Sequence, residues 1–290
     1  MDATTASLAE DVGRLRRERP HVRAFVDPFL GLLFARAPLV DVLRCAGASL
    51  PGPRPDPMRL SQGACLEPRD ELAVLPADLE RAVEVLQPAI SSGFREVRPD
   101  LAAIGRAALA DAAFAARVVG ETLRDRRRAV AALAHPLGVD ERVLAFWGVQ
   151  LATPLAMARG RRLGPLVAEA AWNRGYCPVC GAWPGHARRD GGGVRMICSS
   201  CATAWRFSRP ECPFCEAPGP SAQVYAVPGF DGERVVACRR CNHYLAELVE
   251  DALADYAPEV AGLALAPLEL LARQHGHIPA VLDWRQMPWA

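Results

Sequence analysis

Four Cys-x-x-Cys pairs, confined to residues 177–241, constrain this chain more than any other feature. They read Cys177-Pro-Val-Cys180, Cys198-Ser-Ser-Cys201, Cys212-Pro-Phe-Cys215 and Cys238-Arg-Arg-Cys241, and they hold eight of the ten cysteines. Two residues between sulfurs is the spacing of a metal knuckle, which lets both sulfurs converge on one ion while backbone amides point at them. Four thiolates make one tetrahedral site, so eight suffice for two.

The intervals between pairs are 17, 10 and 22 residues. Within the first, Asp190-Gly-Gly-Gly193 reads as a turn and Val194–Ile197 as a strand. Within the last, Ala222–Ala226 and Glu233–Val236 flank Phe230-Asp-Gly232, a hairpin signal. Each interval therefore reads as knuckle, hairpin, knuckle, the layout of a zinc ribbon or rubredoxin. On that ground 177/180 pairs with 198/201, and 212/215 with 238/241. Interleaved pairing stays sterically open, because loop-closure entropy changes too slowly with length to exclude it. Pro178 and Pro213 suit the turns, and Gly181 can take the positive φ that ends a knuckle. Arg188, Arg189, Arg195, Arg239 and Arg240 lie close enough in sequence to offset thiolate charge, against a simpler reading as solvated surface.

Other uses of paired cysteines can be thinned. No pair continues as Cys-x-x-Cys-His, since Asn242 follows Cys241, so covalent haem attachment is excluded. No Cys-x-x-Cys-x-x-Cys run suggests a ferredoxin cluster, and four pairs amid hairpins do not suit a thioredoxin motif. The N-terminus lacks a basic signal region, and no apolar run approaches the ~18 residues that span a bilayer. A reducing cytoplasm is the expected location, where such cysteines are metal ligands before they are disulfides. A net charge of +1 gives no general attraction to nucleic acid or membrane. Only Trp205-Arg206-Phe207 hints at a nucleic-acid-binding ribbon. Sulfur-only sites suit zinc and iron alike.

Residues 1–175 read as helical, with segments over 5–18, 26–46, 77–88, 100–118, 122–134, 139–158 and 164–173. Asp100 is placed as the cap of the fourth, and Pro154 as a bend in the sixth. Val143, Phe146, Trp147 and Leu151 share one face and read as core. The proline-dense stretch 50–57 reads as a loop. No phosphate loop, dinucleotide fingerprint or His-Glu-x-x-His occurs. His21 and His135 read as surface or cap residues, and Cys45 and Cys65 as small apolar ones. The grammar changes at Gly175, and from about 246 to 274 the chain reads as helical again, with breaks at Pro258 and Pro267.

The fold class expected is thus a mostly α N-terminal domain, two small β-rich rubredoxin-like or zinc-ribbon modules, and a C-terminal helix. The divisions are 1–175, 176–209, 210–245 and 246–290. Tyr176-Cys-Pro-Val-Cys-Gly181, Cys198-Ser-Ser-Cys-Ala-Thr-Ala-Trp-Arg-Phe-Ser-Arg209, Cys212 to Cys215 and Ala237-Cys-Arg-Arg-Cys-Asn-His-Tyr-Leu245 resemble the formate dehydrogenase accessory protein family, FdhE. The resemblance covers most of the chain, with the four-pair block its specific part; the stretch from Ile278 to Ala290 departs from it. It implies a cytoplasmic maturation factor and not an enzyme, with the catalytic subunit of formate dehydrogenase, bound before export, as partner. It implies no nucleic acid and no membrane insertion, and it moves the expected metal from zinc to iron. The ligands it implies are Cys177, Cys180, Cys198, Cys201, Cys212, Cys215, Cys238 and Cys241. A rubredoxin-like electron carrier and a nucleic-acid-binding ribbon are the alternatives. Trp172, Arg174, Tyr176, Trp205 and Arg206 are the candidates for a partner surface, against a reading as the ribbon's own small core.

Overall fold

The amphipathic runs of the first half fold as helices whose ends are set by prolines and aspartates. The structure is a computed structural model that describes residues 3–47, 54–218, 222–226, 232–249, 253 and 256–280. Contacts divide it into two compact units. One takes in the described residues up to 47 and Arg69–Arg159; the other takes in those from 54 to Pro68 and from Gly160 onward.

The first unit is helical: α1 (Ala3–Glu18), α2 (Arg23–Val26) and α3 (Leu30–Gly47) precede the short α4 (Pro57–Ser61), which belongs to the second unit. Then come α5 (Pro76–Gly93), α6 (Arg98–Ala110), α7 (Ala112–Leu123), α8 (Arg127–Ala134) and α9 (Glu141–Leu163), whose last turn from Gly160 belongs to the second unit. Its core holds Phe29, Phe94 and Phe146 edge to face, with centroids 5.0 Å apart for the first two and 4.6 Å for the last two. Trp147 is fully buried, and its indole N–H donates to Gln87 Oε1 at 2.7 Å. The helix face read as core is core.

Four helical readings need correction. The run 100–118 is broken at Asp111, whose extended backbone starts a new helix and whose carboxylate accepts the Ala113 amide at 2.8 Å. Asp100 is not the cap of its helix; the helix begins at Arg98 with Pro99 in its first turn, and Asp100 accepts the Asp140 amide at 3.0 Å. The 122–134 segment is divided, because α7 runs to Leu123 and Asp125 takes a left-handed φ of 53° before α8 begins. Residues 164–173 form only a 3-10 turn over Gly164–Val167. Beyond it, Trp172 leaves helical geometry to donate its indole N–H to the Tyr176 carbonyl at 2.8 Å. Helix α9 continues through Pro154 to Leu163.

The second unit is built on one sheet. Its strands are β1 (Pro184–Asp190), β2 (Gly193–Cys198), β3 (Ala204–Phe207), β4 (Ala222–Ala226), β5 (Glu233–Cys238), β6 (His243–Val249) and the short β7 (Ile278–Pro279). The order is β3-β2-β1-β6-β5-β4, with β7 on β6. Pairing is antiparallel within each set of three, and β1 runs parallel to β6 with His186 opposite Ala246. Two antiparallel three-strand meanders joined by a parallel pair of first and last strands are related by a shift along the sheet, not by a two-fold turn. The knuckle-hairpin-knuckle unit is repeated side by side.

The helix expected from 246 onward starts later. Residues 244–248 are all buried in β6, between β1 and β5. A strand covered on both faces loses its alternation and cannot be told from a buried helix by periodicity. Helices resume at α10 (Pro258–Ala264) and α11 (Ala266–Gln274), with Pro258 and Pro267 as helix starters. Of the 50–57 loop, residues 54–56 have no regular structure, and Asp56 caps α4. The Phe230-Asp part of the hairpin signal, the Cys45 side chain and residues 281–290 lie outside the described residues. Among the described residues no helix is long and apolar enough to cross a membrane.

Candidate metal centres

The Cys-x-x-Cys pairs form small turns. In three of them the amide of the residue after the second cysteine closes back on the first cysteine's carbonyl: Gly181 to Cys177 at 2.9 Å, Glu216 to Cys212 at 2.9 Å, and Asn242 to Cys238 at 2.8 Å. That closing residue is left-handed in all four knuckles, with φ of 73° at Gly181, 58° at Ala202, 56° at Glu216 and 63° at Asn242. Gly181 is the one position where the expected glycine supplies this; the Cys65 sulfur lies 3.2 Å from where a Cβ would sit. The other three knuckles hold a side chain in a conformation that L-residues avoid, so the turn is imposed by its surroundings.

The pairs assemble in sequence order. Cys177, Cys180, Cys198 and Cys201 form one group and Cys212, Cys215, Cys238 and Cys241 another, with the ligand atoms of each within 4.8 Å of one another. In the first, Sγ atoms of Cys177 and Cys201 are 3.6 Å apart and those of Cys180 and Cys198 are 3.5 Å apart. In the second, Cys212–Cys241 and Cys215–Cys238 separations are 3.8 and 3.7 Å. A tetrahedron of sulfurs about 2.3 Å from a central ion has edges of about 3.8 Å, so both groups have the size of a four-thiolate site. None of the described cysteines is in a disulfide. Either group could hold a metal ion.

Electrostatics point the same way. Burial pushes the Cys177 thiol well above the ordinary range, while hydrogen bonds from Cys177, Cys180 and Cys198 hold Cys201 well below it. A buried group of four sulfurs can keep one thiolate among thiols, but only a cation can neutralise four. In the second group, burial raises Cys212 and brings Cys241 up to about 11. Burial also opposes ionisation of Cys238, but the amides of Cys241 and Arg240 and the Cys215 and Cys212 thiols outweigh it and bring the group down to about 7.

The surroundings of the two groups differ. All four cysteines of the first are buried; in the second only Cys238 is, and the other three are half-buried. Over the first, the segment after α4 adds its backbone to the knuckle, with Leu66 and Glu67 amides donating to the Pro178 and Val179 carbonyls at 2.9 and 2.8 Å. The last turn of α9 packs on the second knuckle so closely that a Cβ on Gly160 would collide with the Cys201 carbonyl. Trp172, Tyr176, Trp183, Phe214 and His243 follow one another edge to face or tilted, with centroids 5.4 to 5.9 Å apart. Of the candidate partner surface, Trp172 and Trp205 are buried in the ribbon's core, Arg174 and Tyr176 are half-buried and Arg206 is exposed. Arg195, Arg239 and Arg240 are exposed, as the solvated reading has it.

Sequence reasoning missed Glu247. This β6 carboxylate is 4% exposed and accepts from Arg189 of β1 at 3.2 Å and from Arg234 of β5 at 2.8 Å, tying the two modules across the parallel seam. Beside it, a cleft of ≈ 530 Å³ opens over the sheet, lined in part by Arg189, Arg206, Phe207, Cys212, Cys238 and Glu247. It also missed Gly160, the 64–67 segment and the three left-handed non-glycine residues; the place after each second cysteine was the available signal for those three.

No protein-family model and no curated protein matches the chain. Among solved structures, the crystal structure of the FdhE protein from Pseudomonas aeruginosa is similar to it. The TM-score is 0.54 with 20% sequence identity, over 98% of this chain and 96% of that one. The chain has the fold of that protein. It is a mostly helical first region, a sheet region with two four-cysteine groups, and helices toward the C-terminus.

Proposed function

We propose that this protein is a member of the formate dehydrogenase accessory family, a maturation factor that binds the catalytic subunit of formate dehydrogenase in the cytoplasm before export. The observation that carries the reading is the pair of four-sulfur groups, set in sequence order in a chain whose fold matches an FdhE protein over nearly its whole length. On this reading the helical part, 1–175, is the scaffold, and the modules 176–209 and 210–245 each hold one ion. The eight cysteines are the ligands. Four thiolates leave no open coordination position, which suits a structural or redox role over hydrolysis. The metal we assign is iron, which when bound would add one-electron redox chemistry that zinc lacks.

Two experiments test this. The tagged chain, purified from its native host before export of the enzyme, is expected to carry the immature catalytic subunit with it. Its failure to retain that subunit, in a host whose formate dehydrogenase is being made, would overturn the proposed partner. Metal analysis with an absorption spectrum is expected to give two irons per chain and a thiolate-to-iron band that bleaches on reduction; a colourless zinc protein would overturn the metal assignment alone.

A further inference from the structure

A four-thiolate ion leaves its site when an incoming ligand or proton displaces one sulfur, so the rate depends on whether anything can reach a sulfur. The two groups differ on this point. In the first, Cys177, Cys180, Cys198 and Cys201 are 0, 7, 5 and 2% exposed. Both of its knuckles are covered, one by the backbone of Leu66 and Glu67 and the other by Gly160. Displacing a sulfur there means opening the unit. In the second, three of the four cysteines are half-buried, and Cys212 and Cys238 form part of the wall of the ≈ 530 Å³ cleft over the sheet. That volume is within the range of small-molecule pockets. The cleft wall carries exposed Arg206, while Arg209 is held by Glu211 and Glu216, so an anionic competitor would meet Arg206 there.

We propose that the second group, Cys212, Cys215, Cys238 and Cys241, is the exchangeable metal site of this protein, reached through the sheet-face cleft, and that the first group is a fixed site. This rests on the reading above that both groups hold metal. The competing ligand is an anionic chelator, carboxylate or thiolate. In the exchange step one Cys–metal bond breaks and one metal–ligand bond forms, with no change of oxidation state. When the competitor enters as a thiol, its proton passes to the displaced cysteine sulfur, so charge and atoms balance. A protein that hands an ion to a partner, or senses one, needs one such site, and it needs another that keeps the fold intact while the first is empty.

The test uses the full chain loaded with cadmium-113 and followed by NMR during challenge with EDTA. Two four-thiolate resonances are expected, one decaying at least tenfold faster than the other. The fast resonance is expected to be the one missing from the Cys212→Ser, Cys215→Ser protein. A second variant keeps the assignment open to test if that protein does not fold. Ala222→Trp alters an exposed cleft-lining residue opposite Cys238 in the β4–β5 pairing, outside the ligand set. It is expected to slow the fast phase severalfold and leave the slow phase unchanged. Equal decay rates, or earlier loss of the first group's resonance, overturn the proposal while leaving both groups as metal sites. Uptake of fewer than two ions overturns the metal reading itself, and this proposal with it.

Discussion

The two four-sulfur groups come from the same knuckle-hairpin-knuckle plan, with sulfur spacings that agree to within a few tenths of an ångström. Yet one is enclosed and the other borders a cleft. The ribbon itself does not cause this. What differs is what each module meets outside its own three strands: the first meets the turn at Gly160 and the segment after α4, whereas α11 packs against β4, β5 and β6 of the second. Local sequence builds a site; its accessibility comes from neighbours contributed by distant stretches of chain.

Removing one cysteine from each group is the strongest way to break this comparison. Metal binding at a structural four-thiolate site contributes on the order of 10 kcal/mol, comparable with a domain's whole stability. Cys177→Ser is therefore expected to abolish the sheet signal in circular dichroism, whereas Cys212→Ser leaves a folded chain with one ion. Equal damage from both would mean that burial does not divide the two roles.

The cover over the first site comes next. Gly160→Ala drives a methyl into the Cys201 carbonyl and is expected to cost about 3 kcal/mol, the upper end for an overpacked contact. Metal counting should show the loss in the first site with the second retained; an unshifted melting temperature would count against the close approach.

Glu247 joins the two modules. Its carboxylate is nearly buried while Arg189 and Arg234 remain 41 and 29% exposed, so water will partly compensate the arginines when it is removed. Glu247→Ala is expected to destabilise the sheet by about 2 kcal/mol in urea titration, near the value for hydrogen bonds to a charged group. Because the carboxylate spans the seam, chelator release from both sites should speed up together. An effect confined to one module would show that the seam is held by the strand ladder alone.

The smallest expected effects lie in the knuckles. Ala202→Gly in the first module and Glu216→Gly in the second each free a left-handed residue, and each is expected to stabilise by up to about 1 kcal/mol. Gly181→Ala should cost at least as much, because a Cβ there also meets the Cys65 sulfur. Similar gains at 202 and 216 would show that the two knuckle sets are equivalent, so that the difference between the sites lies outside them.

Much of this was legible in the residues. The Cys-x-x-Cys knuckles, the hairpin at 190–193, the strand at Ala222–Ala226 and the core face around Trp147 follow from short-range patterns, since a knuckle, a tight turn and an amphipathic face each use residues within one or two turns of chain. Asp111 shows where pattern reading fails even locally. Its cap signal sits inside an unbroken apolar period, and the period alone suggested one long helix. The β6 strand fails for a different reason. Tyr244 to Leu248 are all buried because β6 is an inner strand, flanked by β1 and β5 and packed by α11, and no local pattern contains those neighbours.

By itself, then, the sequence determined the make-up of the two groups: eight sulfurs in four pairs, with hairpins between them that favour sequential over interleaved pairing. Those depend on contacts no more than a hairpin apart. Only the tertiary structure decided that the two ribbons share one sheet through β1 and β6. Only it decided that Glu247 clamps the seam, and that the first group is sealed while the second opens on a cleft. These features require Gly160 to meet Cys201, Leu66 to meet Pro178 and His186 to align with Ala246. Such pairs are distant in sequence, and burial of apolar surface brings them together without leaving a periodic trace in either partner.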